Sequence, residues 1–182
     1  MGHGKNLYDR LIEQFLSTST VHEITVEDPS ESFQDLRDVQ DLRRLTSSGA
    51  FDSLTTNSIA KKSFPAAAIR AKAKLPERQF ARVVELKLLG NLDKKDKRAY
   101  KIYRLLVKGR IYKQNKDALS QLDRLDRIDK LHDTYVHVED DYYRLLGLAA
   151  TSTVQEDAEP PRDKREGGDI AVRPSKRAKL TE

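Results

Sequence analysis

Between residues 119 and 145 the apolar side chains recur at intervals of three and four: Leu119, Leu122, Leu125, Ile128, Leu131, Tyr135, Val138, Tyr142 and Leu145. A strand would need a period of two, so this stretch can fold only as an α-helix with one apolar stripe. A stripe of that length needs cover, and one or two antiparallel helices in a small bundle provide it. The spacing predicts a helix over 116–146. The same period predicts a helix over 93–113, through Tyr100, Tyr103, Leu106, Val107 and Ile111. Another is expected from Pro76, with Phe80, Val83, Val84 and Leu88 apolar and Gly90-Asn91 closing it. Shorter helices are expected around Phe51, Leu54 and Ile59, and over 66–74. From 50 to 149 the chain therefore reads as helical.

The first fifty residues differ. Leu7, Leu11, Ile12, Phe15 and Leu16 mark an amphipathic helix over 5–16, and Ser17-Thr18-Ser19-Thr20 breaks it. Residues 21–27 then alternate, with His22, Ile24 and Val26 on one face and Glu23, Thr25 and Glu27 on the other, which predicts a strand. Asp28 is expected as the N-cap of a following helix over 29–45, with Pro29 at its first position and Glu31 as capping-box partner. Phe33, Leu36, Val39, Leu42 and Leu45 would face inward. Helix, strand and helix in that order are a piece of an α/β layer. A lone strand leaves its backbone donors and acceptors unpaired, so partner strands are expected upstream of Met1 or on another molecule. The chain reads as truncated.

Composition excludes several classes. Charged residues are 35% and hydrophobic ones 37% of the 182, polar for a folded domain but not disordered throughout. There is no Cys, which removes disulfides and thiolate metal sites and fits a reducing, intracellular setting. No apolar run approaches membrane-spanning length and no signal-peptide core opens the chain, so no membrane partner is expected. The net charge of +5 conceals a segregation. Residues 1–60 hold 5 Lys/Arg against 10 Asp/Glu, residues 61–116 hold 18 against 4, and residues 117–149 hold 4 against 8. A basic block between acidic ones either pairs internally, as solvated helix faces do, or presents opposite fields to different partners. From 150 to 182 there is little to bury, and a disordered tail is expected. Its basic cluster Arg173-Pro174-Ser175-Lys176-Arg177-Ala178-Lys179-Leu180, with Lys164 and Arg165 upstream, has the form of a bipartite nuclear-import signal.

Few residues carry chemistry. Gly2-His3-Gly4 directly before a helix is the back end of a phosphate-binding turn, where glycine lets a phosphate approach the helix amides; a frayed chain start is the plainer alternative. His3 has no second ligand nearby, so no metal is expected. Glu27 and Asp28 at a strand-to-helix junction are either caps or a reactive carboxylate pair. No Ser/His/Asp or Cys/His set is present to make a nucleophile. His132 and His137 are expected on the solvent side of the last helix. The basic stretch 94–116 interleaves tyrosines with cations, a pattern that can bind nucleic acid. Tyr100 and Tyr103 share the stripe of Leu106, Val107 and Ile111, however, so core packing explains them and direct nucleic-acid binding is not expected.

Taken together these segments resemble the C-terminal half of the catalytic subunit of type B histone acetyltransferases, above all the fungal ones. Gly2-His3-Gly4 resembles the end of the acetyltransferase pyrophosphate loop, Gln/Arg-x-x-Gly-x-Gly/Ala. Residues 23–33 with Leu36-Arg37-Asp38 are similar to that family's strand-and-helix signature. Arg104-Leu105-Leu106-Val107-Lys108, Asn115-Lys116-Asp117-Ala118-Leu119-Ser120-Gln121-Leu122 and Val138-Glu139-Asp140-Asp141-Tyr142-Tyr143-Arg144-Leu145-Leu146 resemble its helical C-terminal domain. The likeness runs from about residue 2 to 147.

The resemblance implies an α+β acetyltransferase fold in the parent. This chain would be mostly α-helical, with one strand left from the central sheet. Residues 1–47 would close the acetyltransferase domain, 50–149 would form the helical C-terminal domain, and 150–182 the tail. It implies an acetyl-CoA-dependent transfer to lysines in the tails of free, newly made core histones of the histone-four type, with no metal. Glu27 takes the position of the general base with Asp28 beside it. Gly2, His3, Gly4 and Lys5 would meet the cofactor pyrophosphate, and Ser30 would add a contact. The acidic first sixty residues suit a cationic histone tail. A WD-repeat histone-binding subunit is the implied partner, and nucleus and cytoplasm the implied location. Met1 stands where the loop needs its earlier residues, so the polypeptide alone is expected not to bind acetyl-CoA productively. The rival is a non-catalytic helical module whose basic block docks an acidic partner or nucleic acid.

Overall fold

In the computed structural model, which describes residues 2–156, eight helices account for nearly all regular structure. They are α1 (Gly2–Ser17), α2 (Glu31–Ser47), α3 (Thr56–Ala60), α4 (Ala66–Ala73), α5 (Glu77–Gly90), α6 (Lys97–Gln114), α7 (Lys116–Ser120) and α8 (Arg124–Glu156). The expected helical character of the chain is borne out.

The core forms where α2, α5, α6 and α8 meet. Val39, Leu42 and Leu45 come from α2, Val83, Leu86 and Leu89 from α5, Tyr103, Val107 and Ile111 from α6, and Tyr135, Tyr142 and Leu145 from α8. Polar links give the directions. Gln79 and Arg82 pair in ascending order with Gln34 and Asp38, while Glu77 and Glu85 pair in descending order with Lys113 and Arg110. So α2 and α5 run the same way and α6 runs back against them. Tyr100 with Glu139 and Lys108 with His132 set α8 antiparallel to α6, as its stripe required.

Three expectations are corrected. The stretch 21–27 is not a strand, and no strand occurs among the described residues. An alternating pattern makes a strand only where a partner completes the ladder. Here one backbone link serves instead, the Ile24 amide donating to the Lys74 carbonyl at 2.8 Å. Asp28 is not the cap of α2. Ser30 is, its hydroxyl accepting from the Phe33 amide at 3.3 Å, and Asp28 and Pro29 form the approach. The long last helix is broken in two. Asp123 accepts the amides of Leu125 and Asp126 at 2.8 and 2.9 Å, which starts α8 anew. Arg127 reaches back to the carbonyls of Leu119 and Leu122, both at 2.8 Å, and closes α7.

At the other end, α8 runs on to Glu156, so residues 150–156 are helical rather than part of a disordered tail. The basic clusters at 164–165 and 173–180 lie outside the described residues. Among the described residues no helix is long and apolar enough to cross a membrane.

Candidate functional site

The segment between α1 and α2 carries the carboxylates singled out in the sequence, and three contacts hold it. Ile24 is gripped at both backbone atoms: its amide by Lys74, and its carbonyl by Arg37 Nη2 at 3.0 Å. One residue before, Glu23 meets Arg70 at 3.3 Å. Past this clamp the chain turns, and Asp28 takes a left-handed conformation with φ of +43°. Such a conformation costs an L-residue on the order of 1–2 kcal/mol, and Asp tolerates it better than most. Glu27 and Asp28 both project into solvent at this turn.

Asp28 borders an open cavity of about 710 Å³ that runs between the turn, the start of α5 and the far part of α8. Arg78, Arg82 and Arg144 face it together with Glu31, Asp35 and Asp141. Its walls therefore offer both signs of charge. Arg144 is committed to Asp35 through two hydrogen bonds of 2.6 and 2.8 Å and to Asp141 at 2.6 Å.

Beneath this cavity lies a buried polar network. Asp38 and Asp41, one turn apart on α2, are both fully inaccessible. Asp38 accepts from Gln34 at 2.9 Å, from Gln79 at 3.0 Å, and from Arg82 through Nε at 3.1 Å and Nη2 at 2.6 Å. Asp41 accepts from Tyr8 at 3.0 Å, Gln79 at 3.0 Å and Arg44 at 2.9 Å. Burial pulls against the Arg82 charge, but the bond to Asp38 outweighs it and raises the guanidinium above its usual value. Burial and the adjacent Asp41 push the Tyr8 phenol up. A second buried carboxylate, Glu85, accepts from Arg110 at 2.8 Å and from Tyr142 at 2.8 Å. These groups order the helices under the turn.

The expected cofactor residues sit elsewhere on the surface. Gly2, His3, Gly4 and Lys5 are not a turn ahead of a helix: they are the first turn of α1 itself. The amides of a first turn have no intrahelical acceptor, so the anion-binding potential of the position remains. A Cβ built on Gly4 would lie 3.9 Å from Leu36 Cδ2, and Tyr8 packs edge-on to Phe33 at 6.1 Å. That is how α1 rests on α2. Lys5 borders a separate cleft of about 280 Å³ with Asp9, Gln40 and Arg43, and burial with the nearby Arg43 charge lowers its ammonium below the ordinary lysine value. Ser30 is engaged as the α2 cap, its oxygen 3.3 Å from Ser32 Oγ. Asp28 and Lys5 thus border different cavities.

Sequence reasoning placed Asp38 in the signature without a role and passed over Asp41, Gln79 and Arg82. The available signal was Gln34, Asp38 and Asp41 spaced four and three apart, which puts polar groups on one helical face.

Residues 38–93 match the family described as fungal HAT1, C-terminal. The match covers this segment alone. The buried acceptors Asp38, Asp41 and Glu85, with Gln79 and Arg82, fall inside it, whereas their donors Tyr8, Gln34, Arg110 and Tyr142 lie outside, and Glu27, Asp28, Gly2 and Gly4 precede it. The chain is also similar over most of its length to curated proteins named histone acetyltransferase type B catalytic subunit. That of Mycosarcoma maydis is 42% identical over 151 residues, covering 81% of this chain and 34% of the relative. That of Cryptococcus neoformans var. neoformans is 41% identical, covering 81% and 37%. That of Candida albicans is 39% identical over 167 residues, covering 89% and 39%. The chain spans well under half the length of these relatives.

Proposed function

We propose that this chain contributes to a histone lysine acetyltransferase that takes its acetyl group from acetyl-CoA. The observation carrying this reading is the 42% identity, over 151 residues, to a type B catalytic subunit. The parent fold under this reading is the α+β acetyltransferase fold.

Glu27 is the base and Asp28 its acidic neighbour. A lysine amine with a pKa near ~10.4 is protonated at neutral pH and cannot attack a carbonyl until the proton is removed. The exposed Glu27 carboxylate takes that proton, the free amine attacks the thioester carbonyl directly, and coenzyme A leaves as the thiol. No covalent enzyme intermediate is needed. The first-turn amides of Gly2, His3 and Gly4, with the Lys5 ammonium, receive the cofactor pyrophosphate, and Ser30 adds a contact from the start of α2. Ten carboxylates in the first sixty residues favour a cationic tail as acceptor, and the reading takes that tail from free core histones of the histone-four type. A WD-repeat histone-binding subunit, links to chromatin assembly and silencing, and work in both nucleus and cytoplasm belong to the same proposal.

In the full-length parent enzyme, substitution Glu27→Gln keeps the shape and removes the base. Transfer to a histone-tail peptide should fall roughly 10²–10⁴-fold with acetyl-CoA affinity little changed. A normal rate would remove Glu27 from the mechanism.

A further inference from the structure

Between α4 and α6, α5 forms the floor of an apolar groove of about 630 Å³. The linker after α3 and the start of α4 make one wall and α6 the other. Phe64, Phe80, Val84, Leu105, Leu106 and Gly109 line it. The volume falls in the range of ~300–1,000 Å³ typical of ligand clefts. Two features mark it as unfilled. Leu105 is 58% exposed, on a helix whose other apolar residues are mostly covered. A Cβ built on Gly109 meets nothing within 4 Å, so the α6 wall is open at that point.

Charge says what fits there. Within the groove Arg110 and Lys113 are occupied by Glu85 and Glu77. Around it the field is one-sided. Lys61 and Lys62 are exposed on the linker between the groove residues Ile59 and Phe64. Lys101 is exposed one turn before Leu105, and Arg98 one turn before that. These belong to the block of residues 61–116, with 18 basic against 4 acidic side chains. A basic occupant would be repelled, and nucleic acid has no apolar side chains for such a groove.

We propose that this groove docks an amphipathic helix of a protein partner, with apolar residues on one face and Asp/Glu on its flanks. The apolar face enters between α4 and α6, and the acidic flanks meet Lys61, Lys62, Arg98 and Lys101. This is the helix-in-groove mode of recognition.

The probe is a labelled synthetic helix of roughly 16 residues, with Leu at i, i+3, i+4 and i+7 and Glu elsewhere, titrated against the full chain. Two companions carry Lys for Glu, or Ser for Leu. The Glu–Leu peptide should bind, and both companions should bind at least about tenfold more weakly. Gly109→Arg is the decisive variant. It places a bulky side chain in open space on the α6 wall and improves helix propensity, so melting temperature should hold or rise while peptide affinity falls at least about tenfold. Leu105→Glu should weaken binding similarly. Failure of the Glu–Leu peptide to bind, equal binding of the Lys companion, or unchanged affinity in a folded Gly109→Arg protein would each overturn the proposal. So would a DNA or RNA oligonucleotide whose binding shows the same dependence on Leu105.

Discussion

The backbone carbonyl of Lys74 accepts the amide of Ile24 at 2.8 Å, while the ammonium of the same lysine caps α1. Lys74 Nζ donates to the carbonyls of Phe15, Leu16 and Thr18 at 2.9, 3.1 and 2.7 Å. A cation at a helix C-terminus satisfies carbonyls that lack intrahelical donors and sits at the negative end of the dipole. Lys74 does this from a left-handed backbone, with φ of +53°, where glycine would rest more easily. One residue therefore joins α1, the segment leading to Glu27, and the α4–α5 junction.

Lys74→Met keeps the stem and removes the donors. Stability by chemical denaturation should drop about 1–2 kcal/mol. Amide exchange should quicken at residues 18–24 and stay unchanged at Val83 and Val107 in the core. Lys74→Gly relieves the backbone but loses the cap, so the same amides should quicken with a smaller loss of stability.

Burial decides which ion pairs matter. Arg82 and Asp38 meet at 2.6 Å with the carboxylate side chain fully inaccessible, whereas Arg144 and Asp35 meet at the same distance with side chains 44% and 22% exposed. Removing one partner of a buried pair strands a charge, which costs about 3–5 kcal/mol. Removing one partner of an exposed pair costs less than about 1 kcal/mol. Asp38→Ala should therefore be severely destabilising and Arg144→Ala nearly silent in urea denaturation. Equal losses would contradict the role given to burial.

Alkaline pH should loosen the core through its tyrosines. Burial first, then nearby acids, raises the phenols of Tyr103, Tyr135 and Tyr142, with Glu85 beside Tyr142 and Glu139 beside Tyr135. In the unfolded chain these groups lose their protons near pH ~10, while in the fold they keep them. Above that pH the unfolded state binds fewer protons, so stability is full below it and declines as pH rises through it. Denaturant midpoints compared at about pH 8 and about pH 11 should show the fall. Tyr142→Phe cannot ionise and should make it shallower, although that variant also loses its 2.8 Å bond to Glu85.

Much of the bundle was legible because 3.6-residue periodicity survives packing: Tyr103, Val107 and Ile111 are buried as their spacing required. The break at Asp123 was missed because the stripe continues across it, while side-chain caps, which act locally, stop the helix. The strand was misread because alternation records which side chains share a face, not whether a partner exists to pair the backbone. Asp38 and Asp41 look like solvated charges in a sequence. Their burial depends on donors from remote parts of the chain, Gln79 and Arg82 some forty residues on and Tyr8 from α1, besides Gln34 and Arg44 on their own helix. For Glu27 and Asp28 the sequence located the acidic turn, but the clamp that holds it depends on Lys74 and Arg37, whose reach no local pattern reveals.

Gly4 separates the structural from the functional reading of α1. It lies in the first helical turn, where glycine is worse than alanine by up to about 1 kcal/mol, and a Cβ there would make only an ordinary contact with Leu36 at 3.9 Å. On stability alone, Gly4→Ala should be neutral or favourable, and thermal unfolding will read this directly. If the first-turn amides receive a pyrophosphate, the added methyl intrudes where the phosphate must approach. Acetyl-CoA affinity of the full-length parent carrying Gly4→Ala, read by calorimetry, should then fall by about tenfold or more while the melting temperature of this chain holds or rises. A variant that gains stability and keeps its acetyl-CoA affinity would remove these glycines from the cofactor site.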